Sequence, residues 1–315
     1  MTDAYDPDPF ADDPFRDDSF GGSAGFAGVR VYAPRSATQV LGDTTEFVRE
    51  NLGDLVRASG RFVGPVFAVA LLAGAAATWL LVGDLSTGLG VGLMLLAGVG
   101  LLVAMLLYNT ACYAYLRLYH EEGPGYVTPE ALRMEVGRLF WPLLGLNILI
   151  GLFSLVLQTV AVVPLIGTAL YVALYLFTLP VLMLPPAIYA LRSARAMASI
   201  SRAVDLVKPR WWEAFLAAVL LYLLLLVGFF AAALVPGMIG GLAVAALGLS
   251  GVLGALAFVP MVLTMGALGL GGAFFLSTGA TLLYGSLAEQ ADGVSLSARV
   301  DALDDLDAPT DPPSW

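Results

Sequence analysis

Charge is what this sequence has least of. Only 13% of its 315 residues are Asp, Glu, Lys or Arg, where a globular domain carries about 25%. Hydrophobic residues make up 59%, above the ~45–50% of soluble chains, and the mean hydropathy is +0.84. So few charges cannot keep that much apolar surface in water, and the composition is that of a polytopic membrane protein. A single Cys and a single His exclude a disulfide framework and any Cys/His metal cluster within the chain. No P-loop, no G-x-S-x-G and no metal-spaced carboxylate or His cluster occurs. No catalytic, metal-ligating or cofactor-binding residue is therefore assigned, and the chain reads as a non-enzyme. No basic stretch precedes an apolar run near the N-terminus, so that end does not read as a secretory signal peptide.

The charge that is present sits mostly at the ends. Residues 1–25 hold seven Asp and one Arg, and residues 289–315 hold seven acidic residues and one Arg. Of 25 acidic and 15 basic residues, that leaves 11 and 13 in between, so the formal charge of -10 belongs to the tails and not to the apolar body. Such polar segments bury too little apolar surface to offset chain entropy, and residues 1–37 and 289–315 are expected to be disordered. The N-tail repeats Asp8-Pro9-Phe10, Asp13-Pro14-Phe15 and Asp18-Ser19-Phe20 at intervals of five. These read as a linear motif offering Phe to a protein partner, or as a solubilising leader. Nothing in the body suggests nucleic-acid binding.

Charge-free windows locate the spans, because a charge at bilayer depth costs at least ~2.5–3.5 kcal/mol. Residues 139–191 hold none over 53 positions and residues 214–288 none over 75. At roughly 20 residues per crossing, the expected fold is an all-α polytopic membrane helical bundle of about six transmembrane helices. The expected spans are 62–82, 86–116, 141–163, 165–190, 212–235 and 260–285, within a helical domain of residues 38–288. The glycine-rich residues 236–258 read as a re-entrant or interfacial segment, or as a seventh span. Arg30, Arg35, Arg49, Arg57 and Arg61 precede the first span, Arg117, Arg133 and Arg138 lie between the second and third, and Arg192, Arg195, Arg202, Lys208 and Arg210 lie between the fourth and fifth. The alternate connections, around Asp84, Pro164 and Pro236, hold no Lys or Arg. Six spans put every basic residue on one side, which implies an inner (plasma) membrane protein with both termini cytoplasmic.

Three segments on that side share a design: an amphipathic helix, an Arg-aromatic step, then a span. Asp43-Thr44-Thr45-Glu46 resembles a capping box, followed by Val48, Leu52 and Leu55 on one face. Thr128-Pro129 reads as an N-cap with Pro at the first helical position, followed by Leu132, Val136 and Leu139. Met197, Ile200, Val204 and Val207 form the third face. The steps at Arg61, Arg138 and Arg210 lie 77 and 72 residues apart. They suggest three hairpins, each fronted by a cytoplasmic helix in the headgroup layer, or simply interface anchors in each loop.

Candidate functional residues are few. Arg192, Arg195, Arg202, Lys208 and Arg210 form a basic stretch suited to anionic lipid headgroups or to ordinary positive-inside anchoring. Asn109, Asn147 and Gln158, with Thr110, Thr159, Thr264 and Thr281, would line a solute path or, more simply, hydrogen-bond between helices. His120 beside Glu121 and Glu122 reads as a polar loop residue, and Cys112 as a packing residue. Pro185-Pro186 reads as the stop of the fourth span, and Gly88-x-x-x-Gly92 as a close helix contact.

Two stretches carry a family resemblance. One is Ala190-Leu191-Arg192-Ser193 through Ala203-Val204-Asp205-Leu206-Val207-Lys208-Pro209-Arg210-Trp211-Trp212, and the other is Thr281-Leu282-Leu283-Tyr284 with Asp292-Gly293 downstream. Over roughly residues 40–305 the chain resembles a broad group of bacterial six-span integral membrane proteins, similar to the membrane domain fused to some glycerophosphodiester phosphodiesterases. The catalytic barrel is absent, so the resemblance implies no diesterase activity. Gly285-Ser286-Leu287-Ala288 replaces the group's more usual Tyr-Asp-Leu-Arg-like ending. The expected role is membrane scaffolding or organisation of anionic lipid, with the bilayer and its headgroups as partners; the alternative is a small-solute transporter or channel.

Overall fold

The computed structural model describes residues 31–82, 87–123, 127–162, 166–192, 195–248 and 259–293. The Asp-Pro-Phe repeats, the connections at Asp84 and Pro164, residues 249–258 and the tail from residue 294 lie outside them. The elements run α1 (Ala37–Val82), α2 (Thr87–Glu122), α3 (Pro129–Thr159) with a 3-10 turn (Val160–Val162), α4 (Ile166–Arg192), α5 (Ala196–Val207), a 3-10 turn (Lys208–Arg210), α6 (Trp211–Leu247) and α7 (Val259–Asp292). The fold is an all-α polytopic bundle. Among the described residues there is no strand, and six helices are long and apolar enough to cross a membrane.

α1 begins earlier than the capping-box pattern at Asp43 suggests. The Ser36 N–H donates to Gln39 Oε1 at 2.8 Å and the Gln39 N–H to Ser36 Oγ at 3.4 Å, so the working box is Ser36-Ala37-Thr38-Gln39. Asp43 instead accepts from Arg35 Nε at 2.6 Å, and the Thr44 and Thr45 hydroxyls donate back to the carbonyls of Val40 and Leu41. The helix then runs 46 residues without a break. At 1.5 Å per residue that is about 69 Å, more than twice the ~30 Å apolar thickness of a bilayer. The first amphipathic segment and the first span are thus one helix, and the same is true of α3. Pro65 and Pro142, each four residues after the Arg of its step, lie inside these helices. Only the third segment breaks off as a separate helix, α5, at the turn containing Pro209. The second N-cap forms as read, with Thr128 Oγ1 accepting from the Ala131 N–H at 3.2 Å.

The first two amphipathic faces pack against protein. Leu55, Leu132, Val136 and Leu139 are buried, and Phe47 meets the rings of Tyr119 and Phe274 at 4.9 and 5.9 Å. On α5 the buried side is Ser199, Ala203, Leu206 and Val207, about a quarter of a turn from the expected face, so Met197 and Val204 are exposed.

α4 continues through Pro180, Pro185 and Pro186 to Arg192, so the double proline does not stop it. α6 likewise continues through Pro236 to a left-handed cap at Gly248, so the described part of the 236–258 segment extends the fifth span and is neither re-entrant nor separate. A helix is the conformation that satisfies its backbone internally, and in lipid that advantage outweighs the one amide a proline removes.

Small residues make the helix contacts in the apolar half. Ala70 and Ala77 on α1, and Gly90, Ala97 and Ala104 on α2, are buried at intervals of seven, and a Cβ on Gly100 would come within 2.9 Å of that of Ala70. A Cβ added at Gly88 or Gly92 would meet nothing within 4 Å among the described residues, so the expected close contact is not seen there. α6 packs on α7 through Gly272 and, at the start of the charged half, through Gly279, where an added Cβ would fall 2.6 Å from Leu225 and Leu221 respectively.

Candidate functional site

At the charged end, long stretches of helix are enclosed on all sides. Every residue from 110 to 119 on α2 and from 277 to 288 on α7 is buried. The bundle's cross-helix polar bonds concentrate around these stretches. Tyr115 Oη donates to Asn51 Oδ1 of α1 at 3.1 Å, and Arg117, itself buried, reaches Glu135 of α3 at 3.1 Å as well as Glu121 of its own helix at 2.8 Å. Arg61 faces Glu130 at 3.7 Å. The ion pairs tie together the ends of α1, α2, α3, α5 and α7 that carry the basic residues.

The five basic candidates divide by what they touch. Arg202 pairs with Asp292, and Arg210 Nη2 donates to the Gln290 carbonyl at 3.2 Å. Both therefore hold the C-terminal turn of α7, where exposed carbonyls and the helix dipole favour a cation, and Gly293 closes that turn in the left-handed conformation (φ 61). α7 extends through Asp292, so the first residues of the expected C-tail are helical and held by α5. Arg195 and Lys208 are exposed. Arg192 is half-buried, its guanidinium carbon 6.0 Å from the centre of the Tyr284 ring.

Residues 31–36, assigned from sequence to a disordered tail, form a short strap docked on the bundle. Tyr32 packs edge-on against His120 and Tyr284 at 5.5 and 6.2 Å. The Arg35 N–H donates to Ser286 Oγ at 2.9 Å, the Ser286 hydroxyl faces the Arg35 carbonyl at 3.3 Å, and Arg35 Nη1 donates to the Val31 carbonyl at 3.0 Å. His120 is accordingly part of α2 and a partner of the strap, not a loop residue. The strap approaches α7 so closely that a Cβ on residue 285 would stand 2.1 Å from the Val31 carbonyl oxygen; only glycine admits it.

The three amides do not form one polar site. Asn147 Nδ2 donates to its own helix at Leu143 O (2.8 Å), and Gln158, about 16 Å further along α3, is exposed. Asn109 lies half-buried on α2, and no hydrogen bond joins any two of the three among the described residues. The hydroxyls of Thr110, Thr159, Thr264 and Thr281 also bond back to carbonyls three or four residues earlier, so the expected interhelical bonds are intrahelical. No family model, curated protein or solved structure matches this chain.

Sequence reasoning missed the strap residues Tyr32 and Arg35 and their acceptor Ser286. One signal was available: the Ser-x-x-Gln box at Ser36, which brings order up to residue 36.

Proposed function

We propose that this chain is a non-enzymatic multi-pass protein of a bacterial inner membrane that organises anionic lipid at its charged, cytoplasmic face. The observation that carries this reading is the outward side of α5. With Ser199, Ala203, Leu206 and Val207 turned inward, Met197, Val204 and Lys208 share the exposed side and Arg195 stands at the helix start. Trp212, also exposed, follows directly. Apolar side chains interleaved with cations and an interfacial Trp suit a helix lying at the headgroup boundary. Neither Arg195 nor Lys208 enters a salt bridge among the described residues, so both charges are available to phosphate groups. On this reading the likeness to phosphodiesterase-linked domains concerns the membrane part alone, and the Asp-Pro-Phe repeats serve a protein partner.

Each basic residue near an anionic surface contributes about 1 kcal/mol at most. The double variant Arg195→Gln/Lys208→Gln should therefore weaken phosphatidylglycerol binding by up to roughly thirtyfold without unfolding the bundle. Native mass spectrometry of co-purified lipid reads this directly, and unchanged anionic lipid content sinks the proposal.

A further inference from the structure

The strap is anchored to the body at a few points. It has no regular secondary structure: Arg35 bonds Ser286 of α7 through its backbone and Asp43 of α1 through its side chain, and Ser36 runs into the cap of α1. Beside it lies an open depression of about 410 Å³ between Pro34, Arg35, Ser36, Glu213, Leu216 and Gln290, so its outer side is not packed against α6. Segments held by few buried contacts are the first to open. Beneath the strap, Tyr32 and the Tyr284 ring face the half-buried Arg192, which enters no salt bridge among the described residues.

We propose that residues 31–36 are a detachable strap whose release opens Arg192 to the phosphate of an anionic lipid headgroup. The inference rests on the lipid-binding reading above and assigns its regulation. In the docked state Tyr32 covers the approach to Tyr284 and Arg192, and the chain contacts its own bundle where a headgroup would sit. Gly285 is the residue that makes docking possible, since any side chain there meets the Val31 carbonyl. Substituting it displaces the strap while leaving Arg192 and the basic face of α5 intact.

The test uses the full-length chain in detergent with Gly285→Ala and, separately, Tyr32→Ala, which lies outside every helix. Trypsin cleavage after Arg35 should accelerate by about tenfold or more in both variants. Binding to vesicles containing phosphatidylglycerol, relative to phosphatidylcholine alone, should rise severalfold, and adding Arg192→Gln should cancel the rise. Millimolar inorganic phosphate should not compete; competition would make free phosphate the ligand and overturn the lipid assignment. A strap that stays protected in both folded variants overturns the proposal, as does a released strap with no gain in vesicle binding, or a gain that survives Arg192→Gln. Failure of the α5 reading is seen separately, as no loss of baseline binding in Arg195→Gln/Lys208→Gln.

Discussion

The charged half and the apolar half of this bundle are built from the same helices and packed by opposite rules. In the apolar half, Leu95, Leu96, Val156, Ile166, Met238 and Leu242 are exposed, and helices approach where a glycine on one meets its neighbour, as at Gly100 against Ala70 and Gly272 against Leu225. In the charged half, the enclosed runs read Thr-Ala-Cys-Tyr-Ala-Tyr-Leu-Arg-Leu-Tyr on α2 and Ser-Thr-Gly-Ala-Thr-Leu-Leu-Tyr-Gly-Ser-Leu-Ala on α7. Of the six candidate spans among the described residues, the most apolar, in the α5–α6 stretch, has 11% of its apolar core segment buried, whereas the least apolar, in α7, has 56%. Lipid solvates leucine as well as another helix does, so hydrophobicity drives chain into the membrane without choosing what it packs against. Where helices emerge from the apolar slab, water returns, and burial again follows the rules of a soluble core.

The largest expected effect is at the buried charge of the packed half. Arg117→Ala leaves buried Glu135 with only the half-exposed Arg138 at 4.0 Å and should cost about 3 kcal/mol, measured by denaturant-driven unfolding in micelles. The pair Arg117→Met/Glu135→Leu should recover most of it, and a single-variant loss as small as that of exposed Arg57→Ala would break the comparison. Next, Leu132→Ala in the packed half should lose about 2–5 kcal/mol through an unfilled cavity, whereas Leu95→Ala on the lipid side should lose less than about 0.5. Equal losses at both sites would mean that the apolar half is also packed, by a second copy or another protein. The smallest contrast is between glycines. Gly279→Ala drives a methyl into Leu221 and should cost about 1–3 kcal/mol, while Gly92→Ala, facing open space, should cost nothing.

Legibility followed the same division. The span count and the gathering of basic residues at one end were readable because each rests on local composition over ~20 residues. The Thr128 cap was readable because it is closed by neighbours in sequence. The errors arose where the answer depends on a distant segment. Asp43 belongs to Arg35 and not to the start of a helix, and the inward side of α5 is set by α4 and α7. Pro185-Pro186 and Pro236 are helix breakers in water but interior residues here. Asn147 and the hydroxyls of Thr110, Thr264 and Thr281 turned to their own backbones because the nearest acceptor on a helix lies four residues back.

Scarcity of charge by itself determined that this is a multi-pass membrane protein, with six candidate spans among the described residues, and which helix ends gather together, since a charge in hydrocarbon is prohibitive wherever it occurs. Only the tertiary structure decided which cations are spent holding α7 and which face outward, and that a polar tail segment ends as a strap over Tyr284 and Arg192. Those outcomes depend on bonds between residues as far as 251 positions apart, which no local pattern encodes.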